Sequence, residues 1–539
     1  MTVRRVMGTE TEYGILAPAL PGANSTVLST QIINSYASLR NASEGRLSGT
    51  RWDYSDEAPL TDARGWELSR EDADPSQLTD GGDVLGAEGV ALAGGRLSEN
   101  GLYTDGPLST GVLMNMVLSN GARLYVDHAH PEYSSPEVTN PKDAVIWDKA
   151  GDAVVLAALR KVARTPGLAA INLYKNNTDN KSVSYGSHEN YLMPREVPFN
   201  RITAGLIPFF VSRQVICGAG RVGRGQDGSK PGFQISQRAD FFEAEVGLET
   251  TIRRPIINTR DEPHATADKY RRLHVIIGDA NLSEVSTYLK LGTASLVLDL
   301  IEHGAAPVLE LVQPVQALQA ISHDPSLRRT VQLKDGRSLT GLELQRIYYD
   351  AAEKHCWRDG EPDADTVEIL ARWGGLLDVL EDDPMKAAAQ VDWVAKLKLL
   401  ESYRQRDSLE WNDARLGLID LQYADVRPEK GLYHRLAARG QMERLVTDEQ
   451  IAAAVSEPPH DTRAYFRGKC IDHFGREVVG ASWDSVIFEL PNHRRLQRIP
   501  TREPLRGTRE LTGRLFDTSA TAEEFIDQLL GTEPWGVAR

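Results

Sequence analysis

The chain has 539 residues, of which 41% are apolar and 25% are charged, and its formal net charge is −15. This length exceeds what one ordinary core supports, so we expect a large domain with an appendage, or several domains. The acidic balance argues against a nucleic-acid partner, which needs a basic footprint, and no run of about 18 apolar residues predicts a membrane-spanning helix.

The N-terminus and the cysteines indicate the compartment. The first residues lack the apolar segment of a secretory signal. The three cysteines (Cys217, Cys356 and Cys470) lie far apart and match neither a disulfide framework nor a zinc spacing. A reducing cytoplasm is therefore the expected location.

The first predicted element is a strand over residues 3–16, and it carries an electrostatic problem. Glu10 and Glu12 are two residues apart, so a strand places both carboxylates on one face. Like charges there repel unless a cation joins them. A helix is predicted next over 28–40, with Ser29 as its cap.

Residues 42–110 are rich in Gly, Ser, Asp and Glu and show no sustained period of 2 or 3.6. A segment of this length without regular structure inside a domain is typical of a lid or a disordered insertion. We therefore predict a mobile insertion that some of its residues anchor; the anchoring candidates are Trp52, Tyr54, Trp66 and Leu68.

Regular structure resumes at 112–127, with a turn at 119–121 and the strand RLYVD. Arg123, Tyr125 and Asp127 share one face of that strand, while Leu124 and Val126 face the packed helices. Asn140-Pro141 then opens a predicted helix over 141–163. Further strands are predicted at 169–175, 187–193, 207–217, 232–238 and 271–278, helices within 283–405, and a C-terminal strand (481–490) and helix (521–530).

This order of elements predicts an α+β fold, in which a largely antiparallel sheet is covered by helices on one side. The other face of the sheet is then available for a ligand. We predict two domains, a catalytic domain over 1–440 that contains the 42–110 insertion, and a small domain over 441–539.

Acidic and imidazole side chains are expected to converge on the open face of this sheet. Glu10, Glu12, Asp127 and Glu132 suit Mg²⁺, which binds a few carboxylates together with substrate phosphates. The alternative is a solvent-facing surface whose acids pair with Arg or Lys. His188 and His274 come from strand contexts that face the cluster. His128 and His130 match the spacing of a His-x-His metal pair. The alternative interpretation is that they are two ordinary polar histidines.

Arginines recur in the same candidate strands, at Arg238, Arg260 and Arg272. Arginine binds phosphate or carboxylate through two parallel hydrogen bonds, so acids facing arginines indicate a nucleotide polyphosphate site. The stretch 218–223 formally matches G-x-G-x-x-G, but the RGQDGSKPG that follows cannot open the helix that a dinucleotide site needs. With no Walker A pattern present, we predict that ATP binds on the sheet.

Six stretches together carry a family resemblance: GTETEYGI, NGARLYVDHAHPEYSSPE, KNNTDNKSVSYGSHENYL, GFQISQRADF, INTRDEPHATADKYRRLHVIIGDAN and AYFRGKC with SWDSVIFEL. Over nearly the whole chain they resemble the Pup ligase/Pup deamidase family, where Pup is the prokaryotic ubiquitin-like protein. That family is similar to glutamine synthetase and glutamate–cysteine ligase. The resemblance implies a glutamine synthetase-like large domain, with a curved, mainly antiparallel sheet backed by helices, and a small C-terminal α/β domain.

Two features favour the deamidase/depupylase branch of this family over the ligase branch. The insertion with RWDYSDEAPLTDARGWELSR interrupts a connection that is nearly direct in the ligases. VDHAHPEYSSPE also lacks the glycine and extra residue of the ligase form. One departure is the stretch at about 86–111, which is longer than is usual for the family.

The resemblance implies roles at matching positions. Asp127 matches the catalytic aspartate. The implied metal ligands or metal neighbours are Glu10, Tyr125, Glu132, His188 and His274. The implied ATP- or phosphate-binding residues are Arg123, Asn190, Arg238, Arg260, Arg272 and Trp483. The implied cofactors are ATP and Mg²⁺, with ATP acting as a cofactor more than as a consumed fuel.

The implied reactions are conversion of the C-terminal Gln of Pup to Glu and cleavage of the isopeptide bond between that Glu and a target lysine. The partners are then Pup and pupylated proteins. Pup is acidic in this family, so a local basic groove is expected, with 269–274 and 493–498 as candidates. Two alternatives remain, a Pup–protein ligase and a non-catalytic Pup-binding regulator. Whether Asp127 is a nucleophile or a base stays open, as does the oligomeric state, with a monomer compatible.

Overall fold

The computed structural model describes residues 2–44, 50–55, 57–69, 71–73, 113–179, 182–358 and 360–531. Its strands are β1 (Met7–Glu12), β2 (Gly14–Leu16), β3 (Arg51–Trp52), β4 (Thr61–Asp62), β5 (Trp66–Glu67), β6 (Asn115–Val117), β7 (Arg123–Asp127), β8 (His130–Ser134), β9 (Asn172–Tyr174), β10 (Ser187–Pro194), β11 (Arg221–Arg224), β12 (Lys230–Gln234), β13 (Phe242–Gly247), β14 (Arg254–Asn258), β15 (Tyr270–Val275), β16 (Thr330–Gln332), β17 (Ser338–Thr340), β18 (Val478–Ala481), β19 (Ser485–Phe488) and β20 (Gln497–Pro500).

Its α-helices are α1 (Ser25–Glu44), α2 (Pro141–Arg164), α3 (Phe199–Cys217), α4 (Glu284–Glu302), α5 (Pro314–Ser322), α6 (Gly341–Cys356), α7 (Ala364–Asp382), α8 (Asp392–Asp407), α9 (Ala414–Tyr423), α10 (Leu432–Ala438), α11 (Asp448–Ala454), α12 (Ala464–Phe474), α13 (Arg509–Thr518) and α14 (Ala522–Gly531). Among the residues described, no helix combines the length and apolar character needed to cross a membrane.

The central sheet has six strands in the order β15-β10-β1-β8-β7-β6, and every neighbouring pair is antiparallel. Burial along β10 alternates residue by residue, because successive side chains point to opposite faces. Tyr191 and Met193 face the core beneath the helices, whereas His188 and Asn190 stay partly exposed on the other face. The predicted α+β fold with a mainly antiparallel sheet is confirmed.

Helix α2 begins as the sequence predicts. The side chain of Asn140 accepts a hydrogen bond from the Asp143 backbone N–H at 2.9 Å, and Pro141 occupies the first turn. Helix α1, in contrast, begins earlier than predicted. Asn24 caps it by accepting from the Thr26 N–H at 2.8 Å, while Ser29 lies inside the helix and donates to the carbonyl of Ala129. Ser29 is therefore not the cap.

The strand predicted at 207–217 is wrong, because these residues form the second half of α3. Residues 208–217 of this helix are buried on all sides, so the apolar residues there show no helical stripe. A continuous apolar run does not separate a buried strand from a buried helix. The glycine-rich stretch that follows leads into the antiparallel hairpin β11–β12, which agrees with the rejection of a dinucleotide-binding turn.

The strand predicted over 3–16 is interrupted at Tyr13, which separates β1 from β2. Tyr13 is fully buried and donates its hydroxyl hydrogen to Asp152 of α2 at 2.8 Å. The single strand predicted over 481–490 is likewise a hairpin, since β18 and β19 pair across a turn at 482–484. Polar turn residues inside an apolar stretch mark this break.

Part of the predicted insertion is docked. Strand β3 pairs in parallel with β18, and Trp52 is buried in the C-terminal core, whereas Trp66 is 44% exposed. The docking expected of Trp52 is therefore confirmed and that of Trp66 is not. Residues 74–112, which include the long stretch at about 86–111, lie outside the described residues.

The C-terminal region has an aromatic core of its own, formed where α12, α13 and α14 pack on β18 and β19. Phe474, Phe516 and Phe525 meet there, with ring centroids 4.8–6.3 Å apart. The terminal helix predicted at 521–530 corresponds to α14. Residues from α9 and α11 pack on the main core instead. The domain boundary near 440 stays a prediction.

Candidate active site

Sheet register brings the predicted acids and histidines into one row on the open face. Glu10 of β1 lies opposite His188 of β10, and Glu12 lies opposite Glu132 of β8. Tyr125 of β7 also lies opposite Glu132. His274 of β15 extends the row beside β10, and all of these side chains line one large cleft.

One end of the row is a compact group of Glu10, His188 and His274, with one ligand atom from each within 4.8 Å of the others. The Nδ1 of His188 lies 3.2 Å from Glu10 Oε2. Burial alone would raise the pKa of Glu10, but its hydrogen bond to His188 and the nearby His274 and Arg272 hold it well below the usual value. Burial and the charge of Arg272 lower the pKa of His274. An ionised carboxylate therefore lies beside a neutral imidazole, and both are groups that can bind a metal ion.

The second group is Glu12, Asp127 and Glu132, again within 4.8 Å of one another. Burial, followed by the charges of Asp127, Glu10 and Glu12, raises the pKa of Glu132 well above its usual value. The hydroxyl of Tyr125 donates to Glu132 Oε1 at 2.5 Å. Buried acids this close are stable together only with a proton or a cation between them. Glu12, which the sequence pattern placed in the acidic cluster but the family resemblance did not assign as a ligand, is thus a candidate ligand.

Asp127 ends β7 at a hairpin that the sequence did not reveal. Residues 128–129 are the entire loop, and His128 and Ala129 both have positive φ, at 42° and 78°. Two-residue hairpins require such angles, which usually select Asn and Gly. Burial by itself would raise the pKa of Asp127, but the charge and hydrogen bond of His128, 2.6 Å away, lower it. The turn thus holds the ionised carboxylate of Asp127 within the second group.

The His-x-His stretch does not act as a pair. His128 contacts Asp127, whereas His130 stacks on Tyr185 at 4.3 Å and lies 3.5 Å from Glu12. The two histidines lie at the start and end of the tight hairpin. This arrangement fits the alternative interpretation, in which they are separate polar residues.

The opposite wall of the cleft carries arginines. Arg238, Arg254 and Arg260 line it, and none of them has a carboxylate within 4 Å in the described part of the chain. The Nε of Arg260 is buried without a hydrogen-bond partner among those residues. Burial, then the charge of Arg254, lowers the pKa of Arg238 to about 9. Arg254, the first residue of β14, was not among the arginines predicted from the sequence. Arginines that line a cleft and lack a carboxylate within ion-pair distance are suited to bind an anion.

Arg272 and Asn190 have protein partners instead. Arg272 donates to Asn190 Oδ1 at 2.7 Å and to the Glu262 carbonyl at 2.7 Å. Asn190 in turn donates to Glu10 Oε1 at 2.9 Å. Both therefore orient Glu10, and their predicted contact with ATP phosphates stays a prediction.

Arg123 connects the sheet to the C-terminal region. Its guanidinium lies between the rings of Trp52 and Tyr125, at 4.1 and 3.9 Å from their centroids. Trp483, from the β18–β19 turn, packs edge-on against Trp52 at 5.0 Å and lines the same cleft. The C-terminal region thus supplies one wall of the site.

This arrangement combines two acidic groups on the sheet with arginines on the facing wall. Carboxylates suit Mg²⁺ and arginines suit phosphate oxygens, so the cleft matches a metal–polyphosphate complex. The ionised Asp127 lies next to the other acids and lines the same cleft.

Comparisons with known proteins agree with this geometry. A family described as "Pup-ligase protein" matches residues 5–487. The chain is 56% identical over 528 residues to a Pup deamidase/depupylase of Mycolicibacterium smegmatis, covering 98% of this chain and 100% of that protein.

Two solved structures share the fold. The Pup ligase PafA in complex with Pup has a TM-score of 0.73 and 30% identity, covering 99% of this chain and 96% of that one. PafA in complex with ADP has a TM-score of 0.66 and 36% identity, covering 78% and 90%. The predicted resemblance is confirmed. One of these two related structures contains ADP.

Proposed function

The chain belongs to the Pup-ligase protein family, and on that premise we propose that it is a Pup deamidase and depupylase. It converts the C-terminal Gln of Pup to Glu and hydrolyses the isopeptide bond between that Glu and a lysine of a pupylated protein. The observation that carries this proposal is the 56% identity, over nearly the whole chain, to a deamidase/depupylase. The ligase structures are only 30% and 36% identical.

ATP and Mg²⁺ fit the residues of the cleft. Glu10, His188 and His274 would hold one cation, and Glu12 with Glu132 a second. Support comes from the raised pKa of Glu132, which burial and neighbouring carboxylates produce and a cation would relieve. Arg238, Arg254 and Arg260 would hold the phosphates, and the unpartnered Nε of Arg260 supports this. When bound, Mg²⁺ with ATP would supply positive charge near the reacting carbonyl.

Asp127 is the residue that we assign to the reaction. Both reactions transfer the γ-acyl group of the last Pup residue from nitrogen to water. Asp127 either attacks that carbonyl, so that the amine leaves before water hydrolyses the acyl-aspartate, or accepts a proton from the attacking water. Both routes need an ionised carboxylate, which the lowered pKa of Asp127 supplies. We propose a cytoplasmic enzyme, and the three cysteines are buried as free thiols.

The test is the variant Asp127→Asn, assayed for ammonia release from Gln-ended Pup and for cleavage of a Pup–lysine conjugate. We expect both activities to be lost while ATP binding is retained, because the change keeps the shape and removes only the charge. Asp227→Asn is the matched control, since Asp227 lies in the exposed β11–β12 loop. Full activity of Asp127→Asn would contradict the assignment.

The same assay separates the two alternative functions. A Pup ligase would join Glu-ended Pup to lysine in the presence of ATP without cleaving the conjugate. A non-catalytic regulator would bind Pup and release no ammonia with ATP and Mg²⁺. Either result would replace the proposal.

A further inference from the structure

A second cluster of metal-binding side chains lies away from the cleft. It contains Asp299, His303 and His355, with one ligand atom of each within 4.8 Å of the others. Asp299 lies in the last turn of α4, His303 caps that helix, and His355 comes from α6. The cluster therefore joins two neighbouring helices behind the sheet.

This cluster is distant from the cleft. Helix α4 has 19 residues and is about 28 Å long. Its N-terminal end follows Gly278, whose carbonyl lies 3.4 Å from Arg238 Nη1 in the cleft wall. The cluster occupies the opposite, C-terminal end of the helix. It therefore takes no part in the reaction at the cleft.

The distances between the ligand atoms are close to the spacing of ligands around one transition-metal ion, and the two histidines contact different oxygens of Asp299. The Nε2 of His355 lies 3.1 Å from Asp299 Oδ2, and the Nδ1 of His303 lies 3.4 Å from Asp299 Oδ1. Ligands on a tetrahedral zinc are about 3.3 Å apart, because each bond is about 2.0–2.1 Å. The two imidazoles thus flank both oxygens of one carboxylate.

Burial and chemistry also fit a bound cation. The side chain of His355 is 4% exposed. That of His303 is 47% exposed, and its Nδ1 also lies 2.8 Å from the Asp299 backbone carbonyl oxygen, so the ring gives up that contact when it binds an ion. The exposure of His303 leaves an approach for the ion and for a water as fourth ligand.

Two imidazoles with one carboxylate are ligands that Zn²⁺ takes. Glu10, His188 and His274 in the cleft offer the same ligand types, but further carboxylates and arginines lie beside them and suit a phosphate-bound Mg²⁺. No further carboxylate joins the second cluster among the described residues, so nothing there favours Mg²⁺ in the same way.

We propose that Asp299, His303 and His355 bind a transition-metal dication, with Zn²⁺ as the best fit, and that the ion fixes α4 to α6. Such a site is structural and independent of the Pup reaction. Zinc bound there stabilises the folded chain, because the unfolded chain lacks the preformed ligands.

The test is calorimetric titration of the chelator-treated protein with ZnCl₂, alongside its thermal midpoint. His303→Ala should lose one zinc equivalent, or bind it more than about 100-fold more weakly, since even loss of an outer partner costs about 10–100-fold. His303→Cys keeps a ligand and should retain binding. Any zinc held by the cleft remains in every variant.

His323→Ala is the matched control. His323 forms a similar pair with Asp240 at 2.8 Å, but no third ligand joins that pair in the described part of the chain. It should keep the zinc stoichiometry of the wild-type protein. Equal stoichiometry and affinity in the wild type and His303→Ala would overturn the proposal, as would a wild-type midpoint that zinc does not raise.

Discussion

Replacing Glu137 by Gln tests how the C-terminal region is held against the catalytic sheet. Glu137 follows β8, and its carboxylate is buried between Arg463 and Arg467 at the start of α12. Burial alone would raise its pKa, but the charges and hydrogen bonds of the two arginines lower it to about 2. Arg467 also donates to the Trp483 carbonyl at 3.0 Å, so the ion cluster positions a residue of the cleft.

The magnitude follows from the pKa. A shift from 4.5 to about 2 corresponds to roughly 3 kcal/mol, at about 1.4 kcal/mol for each pH unit. Removing one partner of a buried pair costs about 3–5 kcal/mol, because the remaining charge stays buried. We therefore expect Glu137→Gln to lose about 3–5 kcal/mol of unfolding free energy for the C-terminal region at pH 7, and to raise the KM for ATP more than it lowers kcat.

The pH dependence has a definite sign. A lowered pKa in the folded state gives stability that is fully present above the ordinary pKa, near 4.5, and is lost as pH falls through about 2. The difference between wild type and variant in urea unfolding should be constant above about pH 5 and shrink below pH 4.5. Glu401→Gln, which removes a surface pair with Arg404, should cost about 0.5 kcal/mol or less. Equal unfolding midpoints for the two variants would refute the reasoning.

Two further predictions concern the catalytic row. Gly186→Ala should abolish turnover without unfolding the chain, because the added Cβ lies 2.4 Å from the Nε2 of His188; Gly375→Ala, which meets no atom within 4 Å in helix α7, should leave turnover unchanged. Tyr125→Phe removes the donor to Glu132 and should raise the Mg²⁺ concentration for half-maximal deamidation by about 10–100-fold. An unaltered Mg²⁺ requirement would show that this hydroxyl does not position Glu132.

Local sequence signals were sufficient for much of the fold. The alternation in 187–194 and in RLYVD placed the polar face of the sheet correctly, because the side-chain period of a strand is fixed at two. The Asn140-Pro141 cap likewise identified the start of α2. The convergence of Glu10, Asp127 and Glu132 could be predicted from these patterns once the strands were assumed to share one sheet.

Features that depend on distant contacts could not be predicted in this way. Strand β8 follows a two-residue turn without glycine. The sequence therefore lacks the usual signal for a hairpin turn at this position. The period of β1 predicted that Glu12 joins the acidic cluster, but its position opposite Glu132 depends on register between strands separated by more than a hundred residues. The buried helix over 199–217 showed a uniform apolar run, which periodicity does not assign.

The cleft carries an excess of negative charge on the sheet and an excess of positive charge at its arginines. The sheet concentrates carboxylates that raise the pKa of Glu132, and the facing wall holds Arg238 and Arg254, whose pKa values burial lowers. Within each set, burying the charged form of these side chains is unfavourable. The charge of Glu12 acts on both arginines, but no ion pair within 4 Å joins them to an acid among the described residues. A cation joined to a polyphosphate satisfies both walls at once, so binding of that complex is also a stabilising event, worth about 2.7 kcal/mol at a hundredfold excess over Kd. We therefore expect the like charges on β1 to form one half of a ligand site, with the arginines of the cleft as the other half.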